Sequence, residues 1–346
     1  MAGLTLLRLC ALASLAASAL ADGDVNTAIT ADGDRIIAGY TPSVGLSVAG
    51  IALYGLSTLA LWWLWARTGR KRYMLTLNIS MACMTIGFIL RIVYNGDPAS
   101  LGRYIAFYMF ILLSPCAFLA HNYLMLSRLS QAMGQDAVDA LFLPAHRVGT
   151  IFIWSDVVTF LLQASGGGLT ASSSAASAKT GKNIALAGLI IQLISYCLFT
   201  ALLLVFGINV RRRHPYLAHP AQPFHLGSFR PWSKAKVYDW RPLYWVVCLS
   251  CIGIVLRSVF RIIEYSEGYY GKLATGEGYF YCLDALPLWL SMTLYVFVFP
   301  PRFIEGAREV HQDASVVSSL EVGRPFVDSY RTTRDKPEVY NMGEYK

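Results

Sequence analysis

Arg91, Asp156, Arg257, Arg261, Glu264 and Asp284 are ionisable residues set inside apolar runs of a 346-residue chain. Near the centre of an isolated membrane helix each would cost about 2.5–3.5 kcal/mol, and six together on the order of 15–20 kcal/mol, unless paired or hydrated. They must therefore face a protein interior. Their formal charges, three positive and three negative, cancel, which predicts a closed ion-pair set. Arg257 and Arg261 are four residues apart and Arg261 and Glu264 three, so all three share one helical face. Asp156 and Gln163, seven apart, share a face of another helix. Pro287 follows Asp284 closely; its missing N–H frees a carbonyl one turn back and allows a kink beside the carboxylate. Such residues can act as a network that only fixes helix register, or as a ligand or proton site. Arg and Glu in the outer third of a membrane can snorkel to the headgroups, whereas Asp156 lies near mid-membrane, which favours the second role.

The elements that must position these groups are membrane helices. Residues of the AVILMFWYC set make up 55% of the chain, charged residues only 14%, and the mean hydropathy is +0.46. Runs of about twenty apolar residues, enough to cross roughly 30 Å of hydrocarbon, recur along most of it. The predicted spans are residues 43–66, 73–94, 103–128, 148–166, 183–207, 243–264 and 279–300. Before them, residues 1–21 carry Arg8, a short apolar stretch and the small-residue end Ala19-Leu20-Ala21, the pattern of a cleaved secretory signal. Residues 22–42 then form an exoplasmic segment, 43–301 the seven-span domain, and 302–346 a tail expected to be mostly disordered and cytosolic.

With the N-terminus outside, twenty Lys and Arg fall in the inner loops and tail against five in the outer loops. The positive-inside rule fixes that orientation and accounts for most of the +8 net charge, so nucleic acid is not expected as a partner. In it, Asp156 is at mid-depth, Arg257 slightly outward, and Arg91, Arg261, Glu264 and Asp284 in the outer third, outlining a polar cavity open to the exoplasmic side. The small, polar outer loop at 165–182 is expected to be flexible, and lacks the residue order of a phosphate-binding loop because Asn183 follows Gly181-Lys182. Among six histidines only His121 lies in a span, which argues against a zinc hydrolase; no catalytic set, metal or cofactor is expected. His121 and Asn122 read as interhelical hydrogen-bonding groups. Cys248 and Cys251 have metal-knuckle spacing but lie inside a span without a second pair, and read as packing.

The run Asp156-Val-Val-Thr-Phe-Leu-Leu-Gln163-Ala-Ser-Gly-Gly-Gly, the run Ala187-Gly-Leu-Ile-Ile-Gln192, the face Arg257, Arg261 and Glu264 continuing to Gly268 and Gly271, and Tyr281-Cys-Leu-Asp284-Ala-Leu-Pro287 resemble the fungal RTA-like family. These are the lipid-translocating exporters named for resistance to aminocholesterol. Tyr40, Pro42, Pro115, Tyr123 and Arg128 fit the same pattern, and the match spans residues 40–302 in one order. The sequence departs from it at Met84, where the family usually carries Glu, and at Phe107, where a Gln is common. The resemblance implies an all-α seven-helix transmembrane bundle of the plasma membrane or endomembranes. It implies translocation or export of amphipathic lipids such as sphingoid bases, sterol-like compounds or toxic amphiphiles, with porphyrin transport as an alternative. Asp156, Gln163, Gln192, Arg257, Arg261, Glu264, Asp284 and Arg91 would form the transport site, with membrane lipids and the amphipathic substrate as partners. A seven-span lipid-sensing receptor is the remaining alternative; neither a D-R-Y-like triplet in the third span nor N-P-x-x-Y in the seventh is present, and the seventh has no Lys to hold retinal.

Overall fold

The computed structural model describes residues 41–170, 175–218, 224, 232–267, 273 and 276–322. The predicted signal segment, nearly all of the segment at 22–42, and the chain beyond residue 322 lie outside the described residues. Among the described residues, seven helices are long and apolar enough to cross a membrane. They are α1 (Val44–Arg67), α2 (Leu75–Asn95), α3 (Leu101–Ala132), α4 (Ala145–Thr170), α5 (Ala175–Arg213), α6 (Arg241–Glu267) and α7 (Glu277–Phe297). After the spans, a further helix, α8, covers Pro300–Val322. Among the described residues there is no strand.

Each spanning helix packs on the next in the chain, and α7 returns to α1, so the spans close into a ring. The third helix is drawn inward: it touches α2, α4 and α6, and His121, Asn122 and Tyr123, three consecutive residues pointing in different directions, are all fully buried. Exposed Leu56, Leu59, Trp154, Leu161, Leu198 and Ile252 cover the outside of the ring. Apolar side chains facing outward and polar ones facing inward is the arrangement a bilayer selects, and the chain is a multi-pass membrane protein.

The fourth and fifth helices pack closely. A Cβ added at Gly166 would lie 2.5 Å from the Ala185 nitrogen and 2.7 Å from the Gly181 oxygen. Small residues let two membrane helices approach this closely and gain van der Waals contact that lipid cannot supply. This packing also explains a departure from the sequence reading. The loop expected to be flexible at 165–182 is helical over Ser165–Thr170 and again from Ala175, because Gly166 and Gly181 are interlocked and the Ala-rich start of α5 has high helix propensity.

The tail reading also needs correction at its near end. Residues 300–322 are helical rather than disordered, starting at Pro300, where proline suits the first helical turn. Phe303, Ile304 and Ala307 are buried, Arg302 Nε donates to Ala235 O at 2.8 Å, and Lys71 Nζ meets Glu305 Oε1 at 2.6 Å. Two turns of apolar residues are too few to show as a sustained period, yet they suffice to seat α8 against α3 and the segment before α6. That segment is fixed by Asp239, which accepts the Arg241 N–H at 3.0 Å and the Phe224 N–H at 2.9 Å. Burial alone would raise the Asp239 carboxyl; hydrogen bonds from Arg241 and Phe224 outweigh it and hold the group below the usual carboxylate range.

Gly166→Val is expected to cost about 1–3 kcal/mol by overpacking the α4–α5 crossing. Thermal unfolding in detergent, followed by size-exclusion fluorescence, should show a lower midpoint; an unchanged midpoint would contradict the close crossing.

Candidate functional site

The site begins with α6, whose spacing puts Arg257, Arg261 and Glu264 on one face toward α7. There the last span is not regular. Residues Phe280–Ala285 form a π-helical stretch, directly ahead of Pro287. Proline cannot donate the N–H a regular turn requires, so the wider winding falls where the backbone bonding is already broken. Tyr54 of α1 donates its hydroxyl to the Ala285 carbonyl at 2.7 Å. The wide turn turns Asp284 inward to complete burial.

Asp284 holds two arginines. Its Oδ1 pairs with Arg257 Nε and its Oδ2 with Arg261 Nη2, while Arg261 Nη1 reaches Glu264 Oε2 at 3.0 Å. Two guanidiniums and two carboxylates thus form a neutral cluster in the interior, with Arg257, Arg261 and Glu264 on the one helical face that their spacing predicts. The cluster does not use every donor: Arg257 Nη2 and Arg261 Nε are buried without a hydrogen bond. Tyr108 of α3 meets Tyr265 of α6 hydroxyl to hydroxyl, and Tyr108 lies in the field of the same four charged groups.

Arg91 is not part of that cluster. Its Nη2 pairs with Glu277 Oε1 at 3.1 Å, and the other Glu277 oxygen accepts the Ser43 N–H at 2.8 Å. Phe280 links the two groups: the Arg91 guanidinium stands 4.5 Å from its ring centre and that of Arg261 5.4 Å. Cation–π contacts of this kind contribute about 0.5–2 kcal/mol each. Met84, one heptad before Arg91 and the place where the family usually carries Glu, is a fully buried apolar contact, and Phe107 is likewise core.

Asp156 stands apart. It is 3% exposed, and among the described residues no cation pairs with it. The Tyr123 hydroxyl of α3 faces the carboxylate as its hydrogen-bonding neighbour. Around it are Thr159, whose hydroxyl bonds the Asp156 backbone carbonyl at 3.0 Å, and Cys116 of α3, which lies in the field of both Asp156 and Arg257. Gln163 Nε2 donates to Gln192 Oε1 at 2.8 Å, and Gln192 in turn reaches Cys116 Sγ at 3.5 Å. Gln163 and Gln192 are therefore together, across the tight α4–α5 contact.

The expectation of one closed set of six charges is thus corrected. Five of the six are paired, but Arg91 is neutralised by Glu277, a residue outside the predicted set, and Asp156 is left over. Glu277 precedes the apolar run of the seventh span, and its signal in the sequence is an acid at a helix start, where the macrodipole favours negative charge. His121 and Asn122 behave as their residue types suggest. His121 Nδ1 bonds Thr76 at 3.2 Å, and Asn122 joins Tyr196, Ser250 and Tyr295 at 2.9, 2.9 and 2.8 Å, tying α3 to α5, α6 and α7. Cys251, expected as packing, is a buried free thiol contacted by the Tyr196 hydroxyl at 3.3 Å; among the described residues there is no cluster of His, Cys, Asp and Glu suited to a metal.

The fold and this interior are those of a polytopic membrane protein of the RTA1-like class. Residues 77–307 match the family described as "RTA1 like protein", and the chain belongs to that family. It is 30% identical over 212 residues to Protein RTM1 of Saccharomyces cerevisiae, covering 61% of this chain and 62% of RTM1. It is 32% identical over 211 residues to Protoporphyrin uptake protein 1 of the same yeast, covering 61% and 63%. Over 298 residues it is 26% identical to the yeast Sphingoid long-chain base transporter RSB1, covering 79% of this chain and 75% of that one. The chain thus spans a little under two thirds of the length of the first two relatives. No solved structure matches it.

The two buried acids should respond oppositely to neutralisation. Asp284→Asn removes the partner of Arg257 and one of the two partners of Arg261 and is expected to destabilise by about 3–5 kcal/mol, whereas Asp156→Asn removes a buried charge without an ion pair and is expected to be neutral or stabilising. Unfolding midpoints of the two variants in detergent test this, and equal losses would contradict the assignment of partners.

Proposed function

We propose that this protein moves amphipathic lipids across the bilayer, and that Asp156 receives the ammonium headgroup while the tail lies between helices in lipid. The observation that carries this reading is Asp156 itself: a carboxylate deep in the bundle that no cation among the described residues pairs with. Burying a charge without a partner is unfavourable enough that such residues are kept in membrane helices for what they bind or transfer. The names of relatives point the same way, one being a sphingoid long-chain base transporter and another a probable lipid transporter. In this reading Gln163, Gln192 and Cys116 flank the headgroup, and the Arg257–Arg261–Asp284–Glu264 cluster with Arg91–Glu277 closes one end of the bundle and must open for exchange.

In this reading the N-terminus lies outside and the C-terminus in the cytosol, which the distribution of Lys and Arg supports, and the charged cluster forms the exoplasmic end. The plasma membrane is the expected site, and the role is transport without catalysis.

Reconstitution into liposomes with fluorescent sphingoid base, aminosterol and phospholipid, compared side by side, tests the reading. Wild-type protein is expected to move the ammonium-bearing lipids, with Asp156→Asn at least tenfold slower, the factor equivalent to about 1.4 kcal/mol. Movement of none of the lipids would contradict transport and favour the receptor alternative; equal rates in wild type and Asp156→Asn would remove Asp156 from the site.

A further inference from the structure

We infer that transport is an electroneutral exchange in which one proton and one cationic headgroup occupy Asp156 alternately. The inference rests on Asp156 being the headgroup site, and it adds the coupling ion.

The charges of the bundle lead to it by elimination. Arg257, Arg261, Glu264 and Asp284 neutralise one another, as do Arg91 and Glu277. Asp156 remains as one negative charge in a 3% exposed position. A carboxylate isolated from water in a low-dielectric interior is neutralised by whatever positive charge can reach it. Two species of unit charge can do so: a proton, held covalently on a carboxylate oxygen, or an ammonium, held by an ion pair. They exclude each other, because with the proton in place the carboxyl no longer attracts the ammonium, and with the ammonium in place the carboxylate is satisfied.

The neighbours supply no third answer. The fourth helix packs on α3 and α5. From α3 the groups facing Asp156 are the Tyr123 hydroxyl and the Cys116 thiol, and neither is a cation. From α5 come the neutral Gln192 amide, already bonded to Gln163, and Gly188, which packs on the Thr159 carbonyl. Arg257, whose field reaches Cys116, is committed to Asp284. His121 is turned away to Thr76.

The exchange then balances. As the cationic headgroup arrives, the carboxyl O–H bond of Asp156 breaks, its electron pair stays on the oxygen, and the proton leaves to water on the side from which the headgroup came. On the other side a proton from water re-forms the O–H bond as the headgroup departs. The loaded and empty forms carry the same charge through the bilayer, so a pH gradient drives the exchange and the membrane potential does not.

The test uses full-length protein in liposomes with an entrapped pH dye and a long-chain trimethylammonium probe fluorescent in its tail. A quaternary head has no neutral form, so it cannot cross as a free amine. With the potential clamped at zero, each unit of pH gradient is expected to accumulate the probe about tenfold on the acidic side, with one proton moving oppositely per probe. A potential imposed without a pH gradient is expected to do nothing. A second readout needs no transport: binding of the probe to purified wild-type protein in weakly buffered detergent should release protons, and binding to Asp156→Asn should release none. Probe movement driven by the potential, or indifferent to the pH gradient and without proton flux, would overturn the exchange while leaving transport at Asp156 standing. No movement of any cationic amphiphile would overturn transport and this inference together.

Discussion

One buried carboxylate, Asp284, held between Arg257 and Arg261, organises the charged end of this protein. Each guanidinium would be untenable alone in an apolar bundle, and sharing Asp284 binds α6 to α7 by two charge-assisted contacts. The π-helical turn before Pro287 is the backbone condition for that geometry, and the Tyr54 hydroxyl from α1 secures its carbonyl. Through Phe280, between the guanidiniums of Arg91 and Arg261, the same arrangement extends to α2 and the start of α1. Four of the seven spans are thus joined at one end of the ring by a set of charges that sums to zero.

That closure gives Asp156 its meaning. Had Asp156 been paired with an arginine, the interior would be a neutral network and its charges would do no more than hold register. Glu277 takes the place that the sequence had suggested for Asp156, so the deep acid is left facing a phenol, a thiol and an amide pair. The interior therefore has two regions of different character, a charge-neutral ionic closure and an acid without a cation beside the close α4–α5 crossing.

Much of this was legible in the residues. Six charges in apolar runs demanded an interior, the spacing of Arg257, Arg261 and Glu264 fixed their common face, and Pro287 marked an irregular turn at Asp284. What stayed hidden depends on distance in the chain. Glu277 lies 186 residues from Arg91 and Tyr54 lies 231 from Ala285, and no periodicity encodes such pairings. The first turns of α8 were hidden for another reason: Phe303, Ile304 and Ala307 form a seat too short to register as a pattern, though tertiary contact makes it sufficient. The helical continuation of α4 and α5 through Gly- and Ser-rich sequence depends on close packing between them, which outweighs the weak local preference of those residues.

In the proposed mechanism Asp156 is the group that recognises positive charge. The most direct test is the affinity of purified protein for a long-chain primary ammonium compared with its uncharged N-acetyl derivative of equal tail length. Wild-type protein is predicted to prefer the ammonium by about tenfold or more, and Asp156→Asn to bind both alike. An undiminished preference in folded Asp156→Asn protein would contradict the account.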